Sequence, residues 1–390
     1  MISRRRLLGT GAALTLAWQA GPLAAAPDAA GRFVLLILRG GMDGLAAVPP
    51  HGDRDYRKAR GGLADALPGE PAEPLDLDGF FSLHPRLPAV HGMYRDGELA
   101  VVHAVAPPYR DRSHFDAQDV LETGMTDPSG STDGWLYRAL AIAPGSPAFE
   151  QYAMALGGGV PRVLQGATPV GGWAPDRLPA PDDDTMVRVR RLYEEDPVLG
   201  PRLEVAMQTD AMARAAPMGG GGADALAVNA RAAAGFLKAA DGPRIAVLES
   251  GGWDTHANQA GQLANRLGAL DAVIGELRSS MGSVWSSTVV AMVTEFGRTV
   301  AMNGTRGTDH GVGGVALIAG GAVNGGRVLG DWPGLGTGSL YEGRDLKPTT
   351  DMRAIFATVL TGHMGFDGNA VDEHVFPDAR LPPIRELLRA

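Results

Sequence analysis

Asp254, His256, Glu295, Asp309 and His310 are the residues on which this chain could build chemistry, and they arrive from three glycine-rich segments. These are Gly251-Gly252-Trp253-Asp254-Thr255-His256, Thr294-Glu295-Phe296-Gly297-Arg298 and Thr308-Asp309-His310-Gly311. Imidazole nitrogens mixed with carboxylate oxygens form a donor set suited to zinc, manganese or a related divalent ion. An isolated Asp-x-His would read as a plain turn. Glu295 shifts the balance, because it ends an almost wholly apolar run, and an ionised carboxylate buried there needs a partner or a metal. Two earlier segments are expected to complete the cluster, one ending in Asp43 (Arg39-Gly40-Gly41-Met42-Asp43-Gly44), the other running from Ser113 to Asp116.

The elements that must position these residues are legible as short apolar runs at 33–38, 99–105, 244–249, 287–293 and 315–319. Continuous apolar runs of this length suit strands buried on both faces of a parallel sheet. Between them, helical periodicity is predicted at 88–95, 114–123, 135–142, 184–196, 203–215, 223–240, 259–281 and 350–360. Strand, helix, strand from 33 to 105 implies a parallel crossover. Ser113 stands where an N-cap belongs and Gly124 where a helix-ending glycine belongs, so Ser113 has an explanation without catalysis. The stretch 49–75 reads as surface loop. His84, His91, His103 and His363 lack acidic neighbours in sequence and read as core or surface histidines, and Trp253 as packing for its own loop.

The composition is globular, with 45% hydrophobic and 20% charged residues, enough apolar material for a large core. The N-terminus runs Ser3-Arg4-Arg5-Arg6-Leu7-Leu8, then an Ala/Leu stretch to about Ala20, then small residues to Ala26. That is the layout of a twin-arginine export signal, and its apolar part is too short to span a bilayer. The expected organisation is therefore a signal at 1–26 and a single domain at 27–390, with the glycine run 219–222 as an internal loop. Localisation would be periplasmic or secreted, with no transmembrane span after signal removal. Losing 1–26 removes three arginines and no acid, taking the formal net charge from −9 to −12, which argues against nucleic acid as a partner. The chain has no cysteine, so no disulfide contributes to its stability.

Aspartate after the first strand, serine at the head of a helix, Asp254 near His256, an acidic residue after a late strand and a histidine in a glycine-flanked loop together resemble the alkaline phosphatase superfamily, which includes phosphatases and sulfatases. Arg112-Ser113-His114-Phe115-Asp116 through Thr123-Gly124 is similar in layout to the helix that carries the alkaline phosphatase nucleophile. Arg-Gly-Gly-x-Asp-Gly, Ser-His-Phe-Asp and Gly-Gly-Trp-Asp-Thr-His look like a twin-arginine-exported bacterial branch of that superfamily, over roughly residues 32–362. The resemblance implies an α/β fold, alkaline-phosphatase-like, with a mostly parallel central sheet and helices on both faces. It also implies a first metal on Asp254, His256 and His310 and a second on Asp43 and Glu295, with Ser113 bridging as nucleophile. Arg112, Arg39 or Arg298 would bind the remaining anionic oxygens.

Phe296 departs from that pattern, because it stands where the superfamily has a second histidine. The second ion then depends on His114 or Asp116 replacing the lost donor. Ser113-His114-Phe115-Asp116-Ala117 also lacks the Cys/Ser-x-Pro-x-Arg setting of formylglycine sulfatases. The expectation is an exported metal-dependent hydrolase of phosphate or sulfate esters, using a serine nucleophile or a metal-activated hydroxide and one or two divalent ions. Its substrate would be an anionic small molecule or a glycan ester. The alternative is an exported binding or scaffold protein of the same fold without turnover.

Overall fold

The computed structural model describes residues 31–389 apart from 65–72, 146–147, 176–182, 194–195, 197–198, 202, 205–206 and 208–224. The export segment 1–26, the glycine run 219–222 and most of the predicted helix 203–215 therefore lie outside the described residues. In chain order the strands are β1 (Arg32–Leu38), β2 (Leu75–Asp76), β3 (Ser82–Leu83), β4 (Leu99–Ala106), β5 (Ala153–Leu156), β6 (Gly171–Trp173), β7 (Ile245–Ser250), β8 (Thr288–Val293), β9 (Gly314–Ala319), β10 (Arg327–Leu329) and β11 (Thr350–Asp351).

All five predicted strands form, and they lie in one nine-stranded sheet ordered β10-β4-β9-β8-β1-β7-β5-β6, with β11 beside β4. β1 is its centre, parallel to β7 on one side and to β8 on the other. Its side chains alternate between two cores. Val34, Leu36 and Leu38 pack with the helices Ala225–Lys238 and Gln259–Met281, while Phe33, Leu35 and Ile37 pack with the helices Trp135–Ala141 and Met352–Gly362. Two-sided burial explains why these strands read as unbroken apolar runs.

β4 runs in the same direction as β1, as the expected crossover requires, with β8 and β9 between them. One strand relationship differs from expectation. β9 runs antiparallel to both β8 and β4. The physical reason is the segment 294–313, which never crosses the sheet: Gly297 N–H donates to Val312 O, Gly311 N–H to Gly297 O and Thr299 N–H to Asp309 O, each at 2.9 Å. A strand leaving that edge can only run back. Its first residues therefore sit beside the carboxyl ends of the parallel strands, the edge where ligand sites form in such sheets.

The stretch read as surface loop is also corrected. It contains the short helix Tyr56–Arg60, and Arg60 at its end is fully buried. No helix among the described residues is long and apolar enough to cross a membrane.

Candidate metal centre

Four side chains converge on the carboxyl edge of the sheet. Asp254 and His256 follow β7, His310 precedes β9, and His114 opens the helix His114–Thr123 that follows β4. Gly40, in the loop after β1, permits this approach: its φ is +124°, and a Cβ there would lie 2.5 Å from Asp254 N. One ligand atom each from His114, Asp254 and His310 lie within 4.8 Å of one another. His256 Nε2 stands 2.9 Å from Asp254 Oδ1 and 3.0 Å from His310 Nε2. The four side chains are partly exposed, open enough to meet a small ligand.

Each ring is turned by a partner outside the cluster. His114 Nδ1–H donates to Glu295 Oε1 at 2.9 Å, and His310 Nδ1–H donates to the Arg112 carbonyl at 2.9 Å. His256 Nδ1 faces Asp309 Oδ1 at 3.3 Å. A carboxylate or carbonyl can only accept, so the proton sits on Nδ1 in His114 and His310, and in their neutral form Nε2 presents its lone pair inward. Acceptors bonded in this way to the far ring nitrogen orient metal-ligating histidines.

His114 Nε2 supplies the test of whether an ion fits. It is buried, makes no well-aligned hydrogen bond, and lies 3.3 Å from Asp254 Oδ2, whose charge contributes to raising the His114 pKa. A lone pair facing a carboxylate is unfavourable unless a proton or a cation stands between them. Imidazole nitrogens and a carboxylate are the donor types of a divalent site, so the residues fit the group, with His256 beside the trio whose ligand atoms all lie within 4.8 Å of one another.

The electrostatics follow from these contacts. The Glu295 hydrogen bond, outweighing burial, raises the His114 pKa. Burial lowers the His310 pKa, which favours the neutral ligand form. Burial opposes ionisation of Asp254, but the Arg298 hydrogen bond and charge outweigh it, and the Asp254 pKa is lowered. Glu295 is also held below the usual carboxylate range: burial opposes this, and hydrogen bonds from His114, Gln118 and the Gly40 amide prevail.

Several expected ligands are placed elsewhere. Asp43 is corrected from metal ligand to buried anchor. Its Oδ1 caps Leu45 and Ala46 at 3.1 and 3.2 Å, and its Oδ2 accepts from Arg60 Nη2 and Gln259 Nε2, both at 2.5 Å. Arg60 in turn donates to the carbonyls of Thr299 and Val300 at 3.2 and 3.0 Å. Glu295 is corrected from ligand to orienting partner. Its Oε1 receives Gly40 N–H at 2.8 Å, Gln118 Nε2 at 3.1 Å and His114, and its Oε2 lies 3.1 Å from Thr294 Oγ1.

The expected anion clamps are corrected as well. The Arg112 guanidinium turns away to Asp345 at 2.8 Å and Glu342 at 2.5 Å. Its backbone, at φ +64°, is what presents the carbonyl to His310. Arg298 is buried on Asp254 Oδ1 at 2.5 Å and on Thr308, and Arg39 is engaged by Glu122 and Glu249. Ser113 occupies the N-cap position without a side-chain capping bond and lies against Tyr109, whose hydroxyl donates to Asp116 Oδ2 at 3.0 Å. Asp116 does not replace the lost donor. His114 stands in its place, while Phe296 packs against the His114 and His310 rings at centroid distances of 4.8 and 5.0 Å. Trp253 is buried in its own loop, as expected.

Four supporting residues carry little or no local signal. Gln118 lies one helical turn after His114, a spacing that places both on one face, and this was a usable signal. Asn303 clamps the loops by donating to His256 O at 2.9 Å and Asp309 Oδ1 at 3.0 Å. Arg344 donates to His310 O, and Gln259 to Asp43. None of these last three has a local sequence signature.

Fold and site together define an α/β protein with a histidine–aspartate cluster at the carboxyl edge of a mostly parallel sheet. The chain belongs to the family described as "Protein of unknown function (DUF1501)", whose profile matches residues 108–375. No curated protein matches it in sequence. Among solved structures it is similar to the PsFucS1 sulfatase from Pseudoalteromonas sp., at 14% identity and a TM-score of 0.41, covering 92% of this chain and 74% of that one. It is also similar to the C-terminal periplasmic domain of EcEptC from Escherichia coli in complex with Zn, at 8% identity and a TM-score of 0.34, covering 75% and 73%. A third is the lipoteichoic acid synthase LtaP from Listeria monocytogenes, at 10% identity and a TM-score of 0.34, covering 78% and 67%. Likenesses of this size carry no argument about activity.

Proposed function

We propose that this chain is a metal-dependent hydrolase of phosphate or sulfate esters, built on one divalent site formed by His114, His256, His310 and Asp254. The observation that carries this is the buried, unbonded His114 Nε2 aimed at Asp254 Oδ2. Three nitrogens with one oxygen favour zinc over manganese. When bound, such an ion supplies Lewis acidity toward an ester oxygen. Glu295, the Arg112 carbonyl and Asp309 hold the rings in orientation, Arg298 holds Asp254, and Phe296 packs against the His114 and His310 rings. Ser113, adjacent to His114 and free of the capping role, is the proposed nucleophile. The resemblance to the alkaline phosphatase superfamily supports this role, and an anionic small molecule or glycan ester remains the proposed substrate class. Twin-arginine export of a single domain, 27–390, to the periplasm or beyond belongs to the same proposal and rests on the Arg4–Arg6 signal layout.

The test is elemental analysis of the purified protein combined with hydrolysis of aryl phosphates and sulfates. One ion per chain is expected, with turnover lost in both Ser113→Ala and His256→Ala and the ion lost in His256→Ala alone. Turnover unchanged in His256→Ala would exclude the metal mechanism.

A second possibility, a binding or scaffold protein without turnover, is favoured by one observation. Arg39, Arg112 and Arg298 all have carboxylate partners, so none is left uncommitted to clamp an anion. A metal-loaded protein that hydrolyses no ester would decide for it.

A further inference from the structure

Glu295 is approached from two directions. From the sheet side, Gly40 N–H donates to Oε1 at 2.8 Å and Thr294 Oγ1 lies 3.1 Å from Oε2, which fixes the carboxylate against β1 and β8. Among the described residues, only His114 and Gln118 come from the other side, one turn apart on the same helix, both donating to Oε1. That helix begins at His114 itself, where few intrahelical bonds are available to hold the ring in place.

The Gln118 amide has only one orientation that satisfies its neighbours. Its Oε1 accepts from Arg39 Nη1 at 3.1 Å, and its Nε2 donates to Glu295 Oε1 at 3.1 Å. A guanidinium has no acceptor and an ionised carboxylate no donor, so a flipped amide would oppose both. Arg39 is itself held by Glu122 Oε1 at 2.8 Å, and Glu122 is buried and anchored by Val163 N–H at 3.0 Å. A continuous series of directed bonds thus runs from Glu122 through Arg39, Gln118 and Glu295 to His114. Its outer end lies in an open cleft that Phe115 and Glu249 also line.

We propose that Gln118 is a positioning residue for His114, which locks the first turn of its helix onto Glu295 so that Nε2 points at Asp254. It touches neither the donor cluster nor any reacting atom, and it acts only through Glu295. This inference rests on the metal-site proposal for its purpose, but not for its geometry.

Gln118→Met preserves length and helix propensity while removing both hydrogen bonds. In metal-free full-length protein, at a pH where His114 is neutral, histidine nitrogen NMR of the wild type is expected to show His114 as a single tautomer protonated at Nδ1. In Gln118→Met a mixture of tautomers is expected, with zinc affinity, measured by competition with a chelating dye, about 10- to 100-fold weaker. The melting temperature of the metal-free variant is expected to change little. An unchanged tautomer and unchanged zinc affinity in Gln118→Met would overturn the proposal. Gln118→Asn, too short to join Arg39 to Glu295, should behave like Gln118→Met, and wild-type behaviour in it would count against the bridging role. If the wild type binds no zinc, the metal-site proposal fails alone, and the tautomer comparison still decides the role of Gln118.

Discussion

Glu295 Oε1 receives the Nδ1 proton of His114 at 2.9 Å, and that bond turns the opposite nitrogen of the ring toward Asp254. One buried carboxylate therefore decides the direction in which a histidine on a different element presents its lone pair. Glu295→Ala should weaken zinc affinity by about 10- to 100-fold without abolishing the site, because the donors remain while one ring loses its orientation. His114→Ala, which removes a donor, should lower affinity further. Zinc titration of both variants ranks the two roles.

The raised His114 pKa gives zinc binding a defined pH dependence. The ion must displace the proton that Glu295 favours on the ring, so affinity should fall as pH drops below the raised value and level off above it. For the metal-free protein the sign reverses. A histidine whose folded pKa is raised contributes stability that is fully present below its unfolded pKa and lost as pH rises through the folded value. Chemical denaturation of metal-free wild type and of His114→Ala across that range should show the difference shrinking with rising pH.

His103 should make the fold acid-sensitive. It is fully buried at a bulge in β4, donates from Nε2 to Val48 O at 3.0 Å, accepts from Ala104 N–H at Nδ1, and lies between the Phe81 and Trp332 rings. Burial pushes its pKa down from 6.5 to about 4. The unfolded state therefore binds a proton that the folded state refuses, and stability is lost as pH falls from about 6.5 toward 4, by about 3 kcal/mol in all. In His103→Gln, which retains a donor for Val48, that increment should be missing from denaturation curves recorded over the same interval.

Asp43 and Arg60 are predicted to matter for folding and not for metal. Arg60→Met leaves the Asp43 carboxylate buried without its charge partner and should cost about 3–5 kcal/mol. Asp43→Asn should destabilise the fold by a comparable amount, since its amide would keep the two capping N–H bonds but leave the buried Arg60 without a carboxylate and set an NH2 against the Arg60 and Gln259 donors. If Asp43→Asn lost its ion while keeping its melting temperature, Asp43 would be a ligand after all.

Phe296 is predicted to stiffen the two rings it supports. Phe296→Ala removes a nearly fully buried aromatic side chain beneath His114 and His310, and should cost about 3–5 kcal/mol of stability. Zinc affinity should also fall. A stability loss with zinc affinity intact would show that the surrounding loops alone orient the rings.

The sequence by itself determined the strands, because runs such as 33–38 and 287–293 must be buried on both faces, and that requirement depends on nothing beyond their own composition. It also determined which loops carry Asp254, His256 and His310, since a donor pattern in a glycine-rich segment after a strand is local. It did not determine which of those donors meet. Asp43 looked like a ligand because its partner Arg60 sits in a stretch of charge, glycine and proline that reads as surface, and its partner Gln259 is 216 residues away. Glu295 looked like a ligand because a buried carboxylate requires a partner, and composition does not say whether that partner is an ion or an imidazole. Arg39, Arg112 and Arg298 looked free to bind anions until Glu122, Glu249, Glu342, Asp345 and Asp254 were brought against them. Local patterns fix burial and backbone path, whereas the partner of a charged group is whichever side chain the tertiary fold places within about 3 Å of it.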